Sequence, residues 1–83
     1  VDVRAVLDRN LLTTVFICQQ AAQRMMPRKN GRILTISSIA AFKGNDTSAI
    51  YSTAKAAVVE YTRCLAAQLR PYNITVNSLA PGD

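Results

Sequence analysis

Ile50-Tyr51-Ser52-Thr53-Ala54-Lys55 opens a strongly helical segment and sets a phenol and an ammonium four residues apart. In an α-helix, residues i and i+4 stack on one face, about 6 Å apart along the axis. A neighbouring positive charge favours phenolate over phenol, and such a tyrosine exchanges a proton with a substrate oxygen. The helix is expected from about Ile50 to Leu69, because Pro71 disfavours helical geometry at Arg70. Ile50, Ala54, Ala57, Val58, Tyr61, Leu65 and Leu69 make one face. Ala56, Val59, Ala66 and Ala67 make much of the other side small and apolar too. A helix that is apolar all round is buried on more than one side. One side is therefore expected to pack on a sheet, the other on a further helix or a second subunit. Tyr61 and Tyr72 have no lysine four residues on and read as packing residues.

Upstream of this helix, Arg32-Ile33-Leu34-Thr35-Ile36-Ser37-Ser38 is a short β-branched run that ends in hydroxyls. Its apolar middle fits a strand buried on both faces, as parallel strands are. Ser38 then falls at the strand's carboxyl end, where open α/β sheets place their ligand sites. Residues 39–49 read as a loop over that edge, with turn chemistry from Gly44-Asn45-Asp46. Downstream, Tyr72-Asn73 turns the chain into a second strand, Ile74-Thr75-Val76-Asn77-Ser78-Leu79, and Ala80-Pro81-Gly82 leaves it.

The segment from Val3 to about Met26 repeats apolar residues at helical spacing, with Asp2 as its N-cap. Asn10 breaks the pattern, in line with Val3, Val6, Ile17 and Ala21 on the row expected to face inward. A polar group there must be hydrogen-bonded. By spacing alone it reads as an internally satisfied asparagine that bends the helix. Pro27 and Gly31 punctuate the helix end and the turn after it.

The order is helix, strand, helix, strand, with crossovers suited to parallel pairing. The fold class expected is α/β, part of a Rossmann-type doubly wound parallel sheet. Two buried strands cannot hide both faces and both edges alone. The 83 residues open without methionine and close on Pro81-Gly82-Asp83, and they read as a piece of a longer protein.

Hydrophobic residues make up 49% and charged residues 18%, the balance of an ordinary globular chain. No apolar run is long enough to span a bilayer. The net charge is +5, with its densest basic stretch from Arg24 to Arg32. That stretch falls where a helix ends, where cations complement the dipole. No aromatic residue interleaves it to stack bases, so nucleic acid is not the expected partner. Cys18 and Cys64 make no CxxC and read as buried small hydrophobes of a reducing, cytoplasmic compartment.

Asn10, Ser38, Tyr51 and Lys55, with YxxxK in Tyr51-Ser52-Thr53-Ala54-Lys55, resemble the tetrad of the short-chain dehydrogenase/reductase family. Ser38 precedes Tyr51 by the family's usual interval. Asn10-Leu11-Leu12-Thr13-Thr14-Val15-Phe16 resembles the family's asparagine-bearing helix, and Val76-Asn77-Ser78-Leu79-Ala80-Pro81-Gly82 its sixth strand and PG turn. YxxxK alone is a weak signal; four positions and a PG turn in order are a strong one.

The resemblance implies an NAD(P)-dependent oxidoreductase that interconverts a secondary alcohol and a ketone. Residues 1–83 would be the catalytic half of a single NAD(P)-binding Rossmann domain. Tyr51 would be the general acid or base. Lys55 would assist it and hold the nicotinamide ribose hydroxyls. Ser38 would donate to the substrate oxygen, and Asn10 would hold a water linking Lys55 to solvent. Pro81 and Gly82 would shape the wall beside the nicotinamide. Ala40, Ala41, Phe42 and Asn45 would help line the substrate pocket. In the family, the two long helices commonly build a four-helix interface, which implies a homodimer or homotetramer.

The glycines are Gly31, Gly44 and Gly82, and they form no phosphate-binding GxGxxG or GxxxGxG turn. The residue that separates NAD from NADP is absent as well. Two other readings compete. Ser52 and Lys55 satisfy SxxK, but no SDN or KTG accompanies them as in serine acyl enzymes. A non-catalytic Rossmann-fold binding or dimerisation module would keep the apolar helix without the turnover.

Overall fold

The computed structural model describes residues 2–37 and 49–80. Its first helical stretch is a continuous path in three parts. Helix α1 (Val3–Leu7) begins at Asp2, whose carboxylate accepts from the Ala5 N–H at 3.1 Å, as the sequence predicts. A π-helical turn follows over Asp8–Leu12, and α2 continues over Thr13–Met25. The π turn forms around Asn10. The Asn10 side-chain amide donates to the Val6 carbonyl at 2.9 Å, and the Thr13 hydroxyl donates to the Asp8 carbonyl at 2.7 Å. Side chains that compete for helix carbonyls loosen the i→i−4 ladder and bend it.

Both helices leave towards a strand by the same device. After α2, a 3-10 turn over Met26–Arg28 carries Pro27, and Lys29 takes a left-handed conformation with φ 53°. Strand β1 follows over Gly31–Ile36. After α3 (Ala49–Leu69), a 3-10 turn over Arg70–Tyr72 carries Pro71, and Asn73 turns with φ 58° into β2 (Ile74–Leu79). In each case the left-handed residue's N–H closes the turn, Lys29 on Met26 O and Asn73 on Arg70 O.

Gly31 is therefore not a turn residue, as its type suggested, but the first residue of β1. Its missing side chain makes room for Met25: a Cβ there would lie 2.8 Å from Met25 Cγ and closer still to its sulfur.

Strands β1 and β2 pair in parallel, from Gly31 opposite Ile74 to Ile36 opposite Leu79. Helices α2 and α3 cover one face of this sheet. Cys18 and Ala22 from α2, Leu65 and Leu69 from α3, and Ile74 and Val76 from β2 form one buried cluster. Ala54 and Val58, both 0% exposed, are the most deeply buried residues of α3. Replacing Val58 by Ala is expected to lower the unfolding free energy by about 2 kcal/mol, read from the denaturant midpoint, because close-packed neighbours collapse only partly into the space left.

Three expectations change. The strand was expected to be buried on both faces, but Leu34 is 62% and Ile36 49% exposed, since no described element covers the second face. The row expected to face inward from the first helix is open at Val3 and Ile17, while Cys18 and Ala22 are the buried residues. The π turn shifts the helical phase, so a single 3.6-residue wheel misplaces the two ends. Cys64 is exposed, with its thiol 3.6 Å from Glu60 Oε2, whereas Cys18 is buried as expected. Burial pushes the Cys18 thiol above its ordinary pKa.

Candidate active site

Two elements bring the sequence-predicted side chains together, the first turns of α3 and the π turn of the N-terminal helix. Tyr51 and Lys55 share one face of α3, and Lys55 Nζ stands over the Tyr51 ring, 5.7 Å from its centroid. This is the meeting that i,i+4 spacing dictates, with the ammonium within range of the ring's negative face. Both residues are half-buried. Lys55 makes no ion pair among the described residues, where the one salt bridge joins Arg63 to Glu60.

The π turn packs on α3 and brings Asn10 to the same place. Asn10 and Lys55 line one cleft of about 290 Å³, with Thr35, Ile36 and Cys18 on its other walls. An open cleft with a free ammonium and a polar amide suits polyhydroxylated or anionic ligands, which accept from both. The Asn10 amide donates inward to Val6. Its oxygen remains an acceptor.

The strand supplies Ser37, whose backbone N–H donates to Leu79 O at 2.7 Å and whose hydroxyl donates to the Lys55 carbonyl at 3.0 Å. That hydroxyl is thus occupied by the scaffold. Ser38, Ala40, Ala41, Phe42, Asn45, Pro81 and Gly82 lie outside the described residues. Sequence reasoning did not foresee the hydroxyls of Thr35 and Thr62, which meet at 2.7 Å inside the protein. Their sequence signal is slight: Thr35 and Ser37 are alternate polar residues on one face of an apolar strand.

Ser52, the nucleophile of the SxxK reading, has a buried hydroxyl with no hydrogen-bond partner among the described residues. It is neither presented to solvent nor activated by Lys55. Tyr61 packs against the core, where burial first and Cys18 second push its phenol above the ordinary value. It stays a neutral packing residue.

The geometry has close counterparts. The family model for short chain dehydrogenases matches residues 1–83. A 3-oxoacyl-[acyl-carrier-protein] reductase from Synechocystis is 45% identical over 82 residues, covering 98% of this chain and 33% of that protein. A cyclohexanol dehydrogenase from Rhodococcus is 43% identical over 82 residues, covering 96% of this chain and 30% of the relative. Among solved structures, an NAD+-bound xylitol dehydrogenase matches with a TM-score of 0.94 and 34% identity over 98% of this chain and 31% of that one. A 3-oxoacyl-[acyl-carrier protein] reductase with bound NAD from Brucella melitensis gives 0.92 and 34% over the same shares. The chain spans about a third of the length of the curated relatives it matches. Its two helices and parallel strand pair are a segment of a Rossmann-like α/β fold. A match along the whole of its sequence, at these identities, makes the chain a member of the short-chain dehydrogenase family.

Proposed function

We propose that residues 1–83 are the catalytic half of one NAD(P)-binding Rossmann domain in a cytoplasmic oxidoreductase. The reaction is the interconversion of a secondary alcohol and a ketone, in a 3-oxoacyl reductase or a small alcohol or sugar dehydrogenase. Similarity to relatives bearing those names supports the substrate class. The observation that carries the reading is the Tyr51–Lys55 pair, with Lys55 in one cleft with Asn10.

The residues fit NAD or NADP. Lys55 has no carboxylate partner among the described residues and lines an open cleft, so its ammonium is free to donate to ribose hydroxyls. The nicotinamide, when bound, supplies or accepts the hydride. Tyr51 donates its phenolic proton to the substrate oxygen in reduction and takes it back in oxidation. Lys55 holds its ammonium over the Tyr51 ring, 5.7 Å from the centroid. Ser38 donates a hydrogen bond to the substrate oxygen and stabilises the charge that grows there. Asn10, through its free amide oxygen, holds a water that connects Lys55 to solvent. Pro81 and Gly82 form the wall beside the nicotinamide, and Ala40 lines the substrate pocket.

The outer sides of the helices, where Phe16 and Ile17 are exposed and Ala56 and Ala67 leave α3 smooth, suit a homodimer or homotetramer built on α2 and α3. The same surfaces support a second reading, a dimerisation module without turnover. The deciding experiment incubates the full-length protein with reduced coenzyme and a panel of 3-oxoacyl thioesters, cyclic ketones and sugar ketones. Coenzyme oxidation that depends on the carbonyl compound is expected. A folded, oligomeric protein inert towards every member would favour the dimerisation module.

A further inference from the structure

Two hydroxyls on one face of β1 reach α3 at different levels, and one of them ends on the backbone of Lys55. Thr35 and Ser37 are each 3% exposed and alternate with the open Leu34 and Ile36, so they share the helix-facing side of the strand. The Thr62 hydroxyl donates to the Val58 carbonyl at 2.7 Å. A hydroxyl has one proton, so the 2.7 Å contact between Thr35 and Thr62 is a donation from Thr35. The 3.4 Å approach of Thr35 to Asn77 O is a weaker second acceptor. Ser37 completes the set with its 3.0 Å bond to Lys55 O.

Residues 55 and 62 are two turns apart on one side of α3, a helix whose Ala54 and Val58 are fully buried. Apolar contact is non-directional and does not by itself fix a helix along its axis. Hydrogen bonds at two heights do. A carbonyl oxygen has two lone pairs, so the Ser37 bond leaves the helix's own ladder intact. Ser37 also donates its N–H to Leu79 O. One residue thus ties β2, α3 and the chain entering residue 38.

We propose that Ser37 is a positioning residue: through the Lys55 carbonyl it fixes the axial position of Lys55, and of Tyr51 one turn earlier, against the carboxyl end of β1. The proposal rests on the catalytic assignment of Tyr51 and Lys55 made above. Proton transfer tolerates little displacement, and a 1 Å misplacement can cost about 10²-fold in rate.

The test compares Ser37→Ala, Ser37→Thr and Thr62→Val in the full-length protein, reading kcat, KM and Tm for each. Ser37→Ala is expected to lower kcat about tenfold with substrate KM within about twofold. Ser37→Thr keeps the hydroxyl and is expected to recover most of that loss. Thr62→Val removes the distant hydrogen bonds, so it is expected to lower Tm at least as much as Ser37→Ala and to keep kcat within about twofold. The proposal is overturned if Ser37→Ala leaves kcat unchanged, or if Ser37→Ala and Thr62→Val lower it alike. Tyr51→Phe in the same assay separates the two levels: wild-type kcat in that variant would overturn the catalytic reading itself.

Discussion

Tyr51→Phe is expected to lower kcat about 10²–10⁴-fold, the usual worth of a positioned acid or base. The substitution deletes one atom and keeps the ring. The contact with Lys55 Nζ is to the ring, 5.7 Å from its centroid, so it survives and the start of α3 has no new reason to shift. Coenzyme KM and Tm are expected to stay close to wild type. A loss confined to kcat marks an interaction made in the transition state, whereas a rise in KM alone would mark ground-state binding. If the variant keeps kcat within about threefold, Tyr51 is not the proton donor.

Lys55→Met is the second large effect, with kcat/KM expected to fall about 10²-fold or more, as when one preorganised electrostatic contact to a reacting centre is removed. Met keeps much of the stem's length and its apolar contacts while removing the charge. Unlike Tyr51→Phe, this change is expected to raise coenzyme KM as well, because Lys55 lines the cleft shared with Asn10 and is, with Arg9, one of two cations there that make no ion pair among the described residues. Opposite signatures from two residues one turn apart would separate proton transfer from coenzyme holding. A Lys55→Met enzyme with unchanged coenzyme KM would remove Lys55 from the ribose site.

Much of this arrangement is written locally. Pro71 ends α3 at Leu69, and β2 spans Ile74–Leu79, as its β-branched pattern predicts. Asp2 caps the first helix because its carboxylate reaches an orphan N–H three residues on. The Tyr51–Lys55 pair follows from helical spacing alone. Asn10 stands out because an amide interrupts an apolar row, and its side chain donates to the Val6 carbonyl within a π turn.

What could not be read is what depends on two elements meeting. Thr35 and Thr62 are far apart in sequence, and only the seating of α3 on β1 makes them one hydrogen-bonded pair. Cys64 was misread because α3 is apolar on several sides, so hydropathy does not say which side the sheet takes; Glu60 one turn earlier was the clue. Gly31 looked like a turn residue by type, yet Lys29 makes the turn, and the need for glycine comes from Met25 alongside it. Leu34 and Ile36 show the same limit, since their strand pattern asks for a cover that no described residue provides.

The central claim is that one phenol on α3, attended by the ammonium a turn later, exchanges the substrate's proton. Its most direct test is a crystal structure of the full-length protein with nicotinamide coenzyme and an unreactive ketone analogue. Tyr51 Oη is expected within about 3 Å of the ketone oxygen, with Lys55 Nζ on the ribose hydroxyls. A ketone oxygen bound by other groups, with Tyr51 Oη more than about 5 Å away, would contradict it.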